Sequence, residues 1–230
     1  MNAKVNQHTT ATMGSAHAGG VVIDSAPRRV LRNTYALLSL NLGFSAVVAG
    51  VSAAMGFSHP GILITLAGYF GLLFLVEKFK NQPAGVVLTF ALTGFMGYTL
   101  GPIISHYLAM QGGPQIVALA LGGTAAAFGG LSAYALVTKR DLSGMAPYLF
   151  AGILVAFVLS LAAYFFSVPA LALAVSAMFV LLMSGLIAWQ TQQIVNGGET
   201  NYVSATITLF VAIYNMFTSL LAIFGFTSQE

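Results

Sequence analysis

Cysteine is absent from this chain, so disulfides and thiolate metal sites are excluded. Charge is nearly absent too. Lys, Arg, Asp and Glu make up 6% of the sequence, where soluble domains carry about a quarter. Such a chain cannot clothe a water-facing surface in polar groups. Its net charge of +3 is too small and too localised to point to nucleic acid. Also missing are a nucleophile paired with a base, a phosphate-cradling loop and a metalloprotease pattern, so neither catalysis nor a cofactor is expected.

What is there instead is hydrocarbon. Apolar residues fill 58% of the positions, grouped into runs near the ~20 residues that cross a bilayer. Seven spans are predicted, at residues 33–55, 61–76, 84–108, 115–137, 146–166, 171–191 and 202–226. The fold class is therefore all-α, a polytopic membrane protein with seven transmembrane helices joined by brief connections. The second span, at 61–76, is short for a hydrocarbon core of about 30 Å.

Residues 1–27, rich in Ala, Gly, Ser, Thr and Asn, read as a disordered tail. The remainder, 28–230, reads as one membrane domain. The tail does not read as a signal peptide, because Arg28, Arg29 and Arg32 follow it and no short apolar core precedes a cleavage site.

Every basic residue falls on one side of a seven-span arrangement. Lys4 and the three arginines precede the first span, Lys78 and Lys80 follow the second, and Lys139 and Arg140 follow the fourth. The positive-inside rule then places the N-terminus in the cytoplasm and the C-terminus outside. Within "VTKRDLSG", Lys139 and Arg140 pin a cytoplasmic loop, and Asp141 caps the next segment or pairs with them.

No acid or base lies well inside a span, which argues against carriers that work through an intramembrane carboxylate. The neutral polar residues at depth, Asn41, Thr93, Thr124, Ser160, Ser176, Ser184 and Asn215, read as hydrogen-bonding partners between helices. His59 and His106 both map to the outer face. Two imidazoles without a carboxylate make a poor metal site, so they read as interfacial polar residues. Glu199 in "NGGETN" reads as a solvated acid in a turn, and the single Trp189 as an interfacial anchor.

Glycine carries more information. "TGFMGYTLGP" puts Gly94, Gly97 and Gly101 close together on the third span, with Gly97 and Gly101 spaced as G-x-x-x-G. Such a strip lets a neighbouring helix approach closely. Pro102 frees a backbone carbonyl one turn back and invites a kink.

These motifs carry a resemblance. "SAYALVTKRDLSG" and "TGFMGYTLGPI" resemble the signatures of the Bax-inhibitor-1 family of seven-span membrane proteins. "VLRNTYALLSLNLGFSA", "LGGTAAAF", "NGGETNY" and "YNMFTSLLAIFGF" are similar to its YccA branch in Gram-negative bacteria, so that the likeness runs from Arg28 to Phe226. The resemblance implies a bundle whose last helix sits centrally, wrapped by the other six. It implies residence in the inner membrane and a partner, the membrane-anchored AAA protease FtsH, with that protease's membrane-bound regulators as further contacts. Members of the branch are slowly processed substrates of FtsH that restrain it in membrane protein quality control. A loose tail suits a pulling ATPase, and a Gly-packed bundle suits resistance to it.

The family's other activity is a calcium leak, controlled in some members by two buried aspartates. At the matching positions this chain carries Gln190, in "WQTQ", and Ala212, with Asn215 one turn on. Neither pair can share a proton or hold a cation by charge. A cation leak without the usual switch stays as the alternative, and a small-molecule transporter as a weaker third.

Overall fold

The computed structural model describes residues 25–228. The expected disordered tail lies, up to residue 24, outside the described residues; Ser25 already opens the first helix. Seven helices follow: α1 (Ser25–Ala54), α2 (Ile62–Phe79), α3 (Pro83–Leu108), α4 (Gly113–Val137), α5 (Ala146–Phe165), α6 (Pro169–Val195) and α7 (Tyr202–Thr227). All seven are long and apolar enough to cross a membrane. No strand occurs among the described residues, as expected where only intra-helical bonding satisfies the backbone in lipid.

Proline marks several helix starts. Pro83, Pro114, Pro147 and Pro169 stand in the first two positions of α3, α4, α5 and α6, where the missing N–H costs nothing. At the start of α7 the cap is a side chain: Asn201 Oδ1 accepts from Val203 N at 2.9 Å and Ser204 N at 3.1 Å. Gly197, at φ 76°, supplies the left-handed residue beyond the end of α6.

Two helices run past their expected ends. The short second span reaches Phe79 and totals 18 residues, about 27 Å at 1.5 Å per residue. The sixth continues to Val195, so Gln192 and Gln193 belong to its last turns rather than to a polar loop.

The most buried helix is α7, which packs against α1, α2, α3, α4 and α6. Phe210, Leu209, Met216 and Leu221 on it are all but sealed from solvent. The helix is central, but only five of the six others touch it; α5 rests on α6 and on the single 3-10 turn at Ser143–Met145. At the other edge, α2 leans mainly on α3 and buries only Val76.

Candidate functional site

The most elaborate polar structure lies where the basic residues gather. Arg28, Arg29, Arg32, Lys78, Lys139 and Arg140 are all exposed there. Two side-chain amides hold the connections of this face together.

The first is Gln192, buried at 3% exposure. Its Nε2 donates to Arg140 O at 2.7 Å, and its Oε1 accepts from Leu142 N at 2.7 Å. Both ends of the amide are therefore used on the "KRDL" backbone. Leu142 is pressed into a small cluster with Ala135, Ala188, Leu131 and Trp189, while Lys139 and Arg140 point outward. Asp141 Oδ1 accepts from Ser143 N at 2.9 Å, the short-range turn that Asp side chains favour. That bond, helped by the Ser143 hydroxyl, holds the Asp141 carboxyl below its usual range. Gln193 Nε2 adds a bond to Ser143 Oγ at 3.1 Å. No ion pair joins Asp141 to Lys139 or Arg140, since the only salt bridge among the described residues links Lys80 to Glu77.

The second clamp is Asn201. While its oxygen caps α7, its Nδ2 donates to Lys80 O at 3.2 Å and Asn81 Oδ1 at 2.7 Å. The α6–α7 and α2–α3 connections are thereby tied together. Glu199 is less free than the sequence suggests, because its Oε1 accepts from Asn201 N at 2.8 Å. Glu77 pairs with Lys80 and accepts from Ser204 Oγ at 3.2 Å. That carboxylate raises the Lys80 ammonium above its ordinary value.

The glycine strip of α3 faces α1. A Cβ on Gly97 would lie 2.5 Å from Ser45 O, and one on Gly94 2.8 Å from a Phe44 ring carbon. One on Gly101 would collide with the Ser52 side chain. Pro102 sits within an unbroken helix, and the Tyr98 carbonyl it would orphan accepts from Ser52 Oγ at 2.9 Å.

Gln190 and Ala212 are both buried, at 3% and 0% exposure. Gln190 Nε2 finds no partner, and neither do the buried Thr34 Oγ1, Ser132 Oγ and Trp189 Nε1. Trp189 thus packs inward, edge-on to Phe150, rather than hanging its N–H in the interface.

Of the neutral polar residues expected to bridge helices, one pair does so: Thr93 Oγ1 donates to Asn41 Oδ1 at 2.8 Å. Thr124, Ser160, Ser176, Ser184 and Asn215 instead bond carbonyls three or four residues back on their own helices. The local carbonyl is always within reach, so it wins. Bridging falls to residues the sequence did not single out, including Thr99 with Tyr214 at 3.3 Å and Tyr35 with Thr191 at 3.4 Å. Around His59 and His106, as elsewhere among the described residues, no three metal-ligating side chains gather. His59 Nδ1 accepts from Gly61 N at 3.1 Å, and His106 packs edge-on to Tyr107.

A cavity of about 790 Å³ lies between α2 and α5 over a floor of α3, α6 and α7. Phe70 and Phe157 meet across it edge to face, with ring centroids 5.7 Å apart.

Seven spanning helices knit at one face by side-chain amides define a multi-pass helical membrane protein. Residues 27–229 match the family model described as "Inhibitor of apoptosis-promoting Bax1". The chain belongs to this family, the Bax-inhibitor-1 family. It is 49% identical over 202 residues, covering 88% of this chain and 92% of the relative, to "Modulator of FtsH protease YccA" of Escherichia coli (strain K12). The same figures hold for "Inner membrane protein YccA" of Escherichia coli O6:H1. An uncharacterized protein of Pseudomonas aeruginosa is 50% identical over 201 residues, covering 87% of this chain and 90% of that protein.

Proposed function

We propose that this chain is an inner-membrane protein that binds and restrains the FtsH protease, itself a slowly processed substrate, in membrane protein quality control. The observation that carries the reading is the 49% identity to a protein named as a modulator of that protease, sustained over 92% of its length. The inner-membrane assignment rests on the name of a second such relative. The basic face is assigned to the cytoplasm by the positive-inside rule, so residues 1–27 lie where a cytoplasmic ATPase grips, and the C-terminus is periplasmic.

The bundle suits the role. A tail offers a handle, while a core sealed around α7 and a Gly-lined seam between α1 and α3 oppose extraction. The function needs no catalytic group, and none is invoked. A cation leak finds no support in the residues at its usual control points, because Gln190 and Ala212 bring no charge.

The test is degradation of a membrane substrate by purified FtsH in proteoliposomes. Adding the full-length chain should slow that degradation, and deleting residues 2–24, which spares α1, should abolish the effect and protect the chain itself. A protease indifferent to both forms would overturn the reading. Calcium flux recorded in the same vesicles should not differ from empty controls.

A further inference from the structure

The cavity between α2 and α5 has no part in the proposed function. Its α2 wall is a stripe of Tyr69, Phe70, Leu73, Phe74 and Glu77, spaced at three and four residues along one helix face. Phe150, Ile153 and Leu154 form the opposite wall on α5, and Ile207 and Val211 form part of the floor on α7. Phe74 and Leu154 are 66% and 64% exposed, so the cavity opens sideways at membrane depth.

A void of about 790 Å³ lies within the about 300–1,000 Å³ of pockets that enclose small ligands. From Thr65 to Glu77, both lining residues, the slot runs about 18 Å at 1.5 Å per residue. One leaflet contributes half of a core of about 30 Å, so the slot is as long as one acyl chain. The floor aims little polarity into it. Thr208 Oγ1 donates to Ser204 O, Asn215 Nδ2 donates to Val211 O, and Thr99 bonds Tyr214.

The end of the slot at the basic face is different. Glu77, in the last turn of α2, is the only acid carried by a spanning helix among the described residues. It pairs with Lys80, just past the end of the helix, yet keeps its side chain 54% exposed. Lys78 turns away, its ammonium 5.6 Å from the centre of the Phe79 ring. An apolar slot thus ends in a carboxylate paired with one ammonium group.

We propose that this slot binds one acyl chain of a phospholipid from the leaflet at the basic face, with a zwitterionic phosphoethanolamine headgroup seated on Glu77 and Lys80. The headgroup amine meets Glu77 and its phosphate meets Lys80. A purely anionic headgroup satisfies Lys80 but leaves Glu77 facing negative charge. The occupant joins α2 to α5, which otherwise meet through the Phe70–Phe157 pair. This site does not depend on the protease reading.

The test uses the full-length protein, purified in mild detergent and probed by native mass spectrometry and thermal unfolding. Phosphatidylethanolamine and phosphatidylglycerol of identical chains serve as probes. The wild type should retain the ethanolamine lipid about fivefold better, the size that a partly exposed charge pair allows. Glu77→Gln should erase that preference. Leu154→Trp, at an exposed wall position, should fill the slot and abolish retention while leaving the lipid-free melting temperature unchanged. A photo-crosslinker at position 154, activated in membranes, should add lipid mass. Equal retention of the two lipids by the wild type, or undiminished retention by Leu154→Trp, would overturn the proposal. So would crosslinking of position 154 to a polypeptide, which would assign the slot to a partner's helix.

Discussion

Ser52 on α1 donates its hydroxyl proton to the carbonyl of Tyr98 on α3, at 2.9 Å. Tyr98 is the residue whose helical partner would be the N–H that Pro102 lacks. One substitution-sensitive position is thus answered by a residue 46 places earlier, brought close because Gly101 has no side chain to hold α1 away. The break in the α3 ladder and the small-residue strip beside it form one device.

Removing that hydroxyl should therefore have a conditional cost. Ser52→Ala should destabilise the bundle by about 0.6 kcal/mol, the average for bonds between membrane helices, and by no more than about 1.7 kcal/mol. With Pro102→Ala, the Tyr98 carbonyl regains a donor on its own helix, and the Ser52→Ala cost should shrink. A double-mutant cycle in detergent unfolding reads the difference.

The glycine seam predicts a sharp contrast between positions. Gly97→Ala places a Cβ 2.5 Å from the Ser45 carbonyl oxygen, and backbone cannot move aside cheaply. The expected loss is about 1–3 kcal/mol, the usual cost of overpacking. Gly43→Ala, where a Cβ meets nothing within 4 Å, should be neutral or slightly stabilising. Melting temperatures of the two variants side by side check this.

Gln192 should guard the "TKRDLSG" backbone against proteases. Gln192→Leu leaves Arg140 O and Leu142 N without their 2.7 Å partners, at a cost of about 1–2 kcal/mol. Local opening should rise about five- to thirty-fold. Tryptic cleavage after Lys139 or Arg140 should accelerate in proportion, while cleavage after Lys78 should not.

The pH response of this loop follows from Asp141. Its carboxyl is held below the ordinary 3.8 by the Ser143 backbone N–H and hydroxyl. A depressed folded-state value means that the contribution is complete above 3.8 and lost only as pH falls through that lower value. Protection of the loop should be flat from neutrality down to about pH 4 and fall below it. Asp141→Asn, which keeps an acceptor for the Ser143 N–H, should remove the acid-side loss. Hydrogen exchange of the Ser143 amide, corrected for the intrinsic rate at each pH, checks this.

The spans were legible because the bilayer sets their length. The YccA-like motifs were legible because they recur in order along the chain. What each span touches was not. In lipid, the face that meets another helix is as apolar as the face that meets hydrocarbon, so the stripe on α2 that lines the slot reads like any other part of that helix. Gly97 and Gly101 announced a close approach, but nothing in their neighbourhood named α1 as the helix that makes it. The role of Gln192 is not legible in the sequence, because its partners lie 50 and 52 residues away. A signal was available: "WQTQQ" places three amides at the end of an apolar span, and a buried amide must find backbone or another side chain. Lys139 and Arg140 stand out by their charge, yet the structural hold on that loop is exerted through backbone atoms.

The seam between α1 and α3 has a mechanical consequence. Phe44, Ser45, Ala49 and Ser52 meet Gly94, Gly97 and Gly101 along some two turns of both helices, and α1 begins at Ser25. A load applied there runs along the axis of α1, parallel to the seam. Such a load acts in shear: the contacts resist together and have to fail together, whereas a load perpendicular to a seam would unzip it one contact at a time. The same contacts that hold the two helices at equilibrium therefore set a high rupture force against a load drawn along the axis of α1.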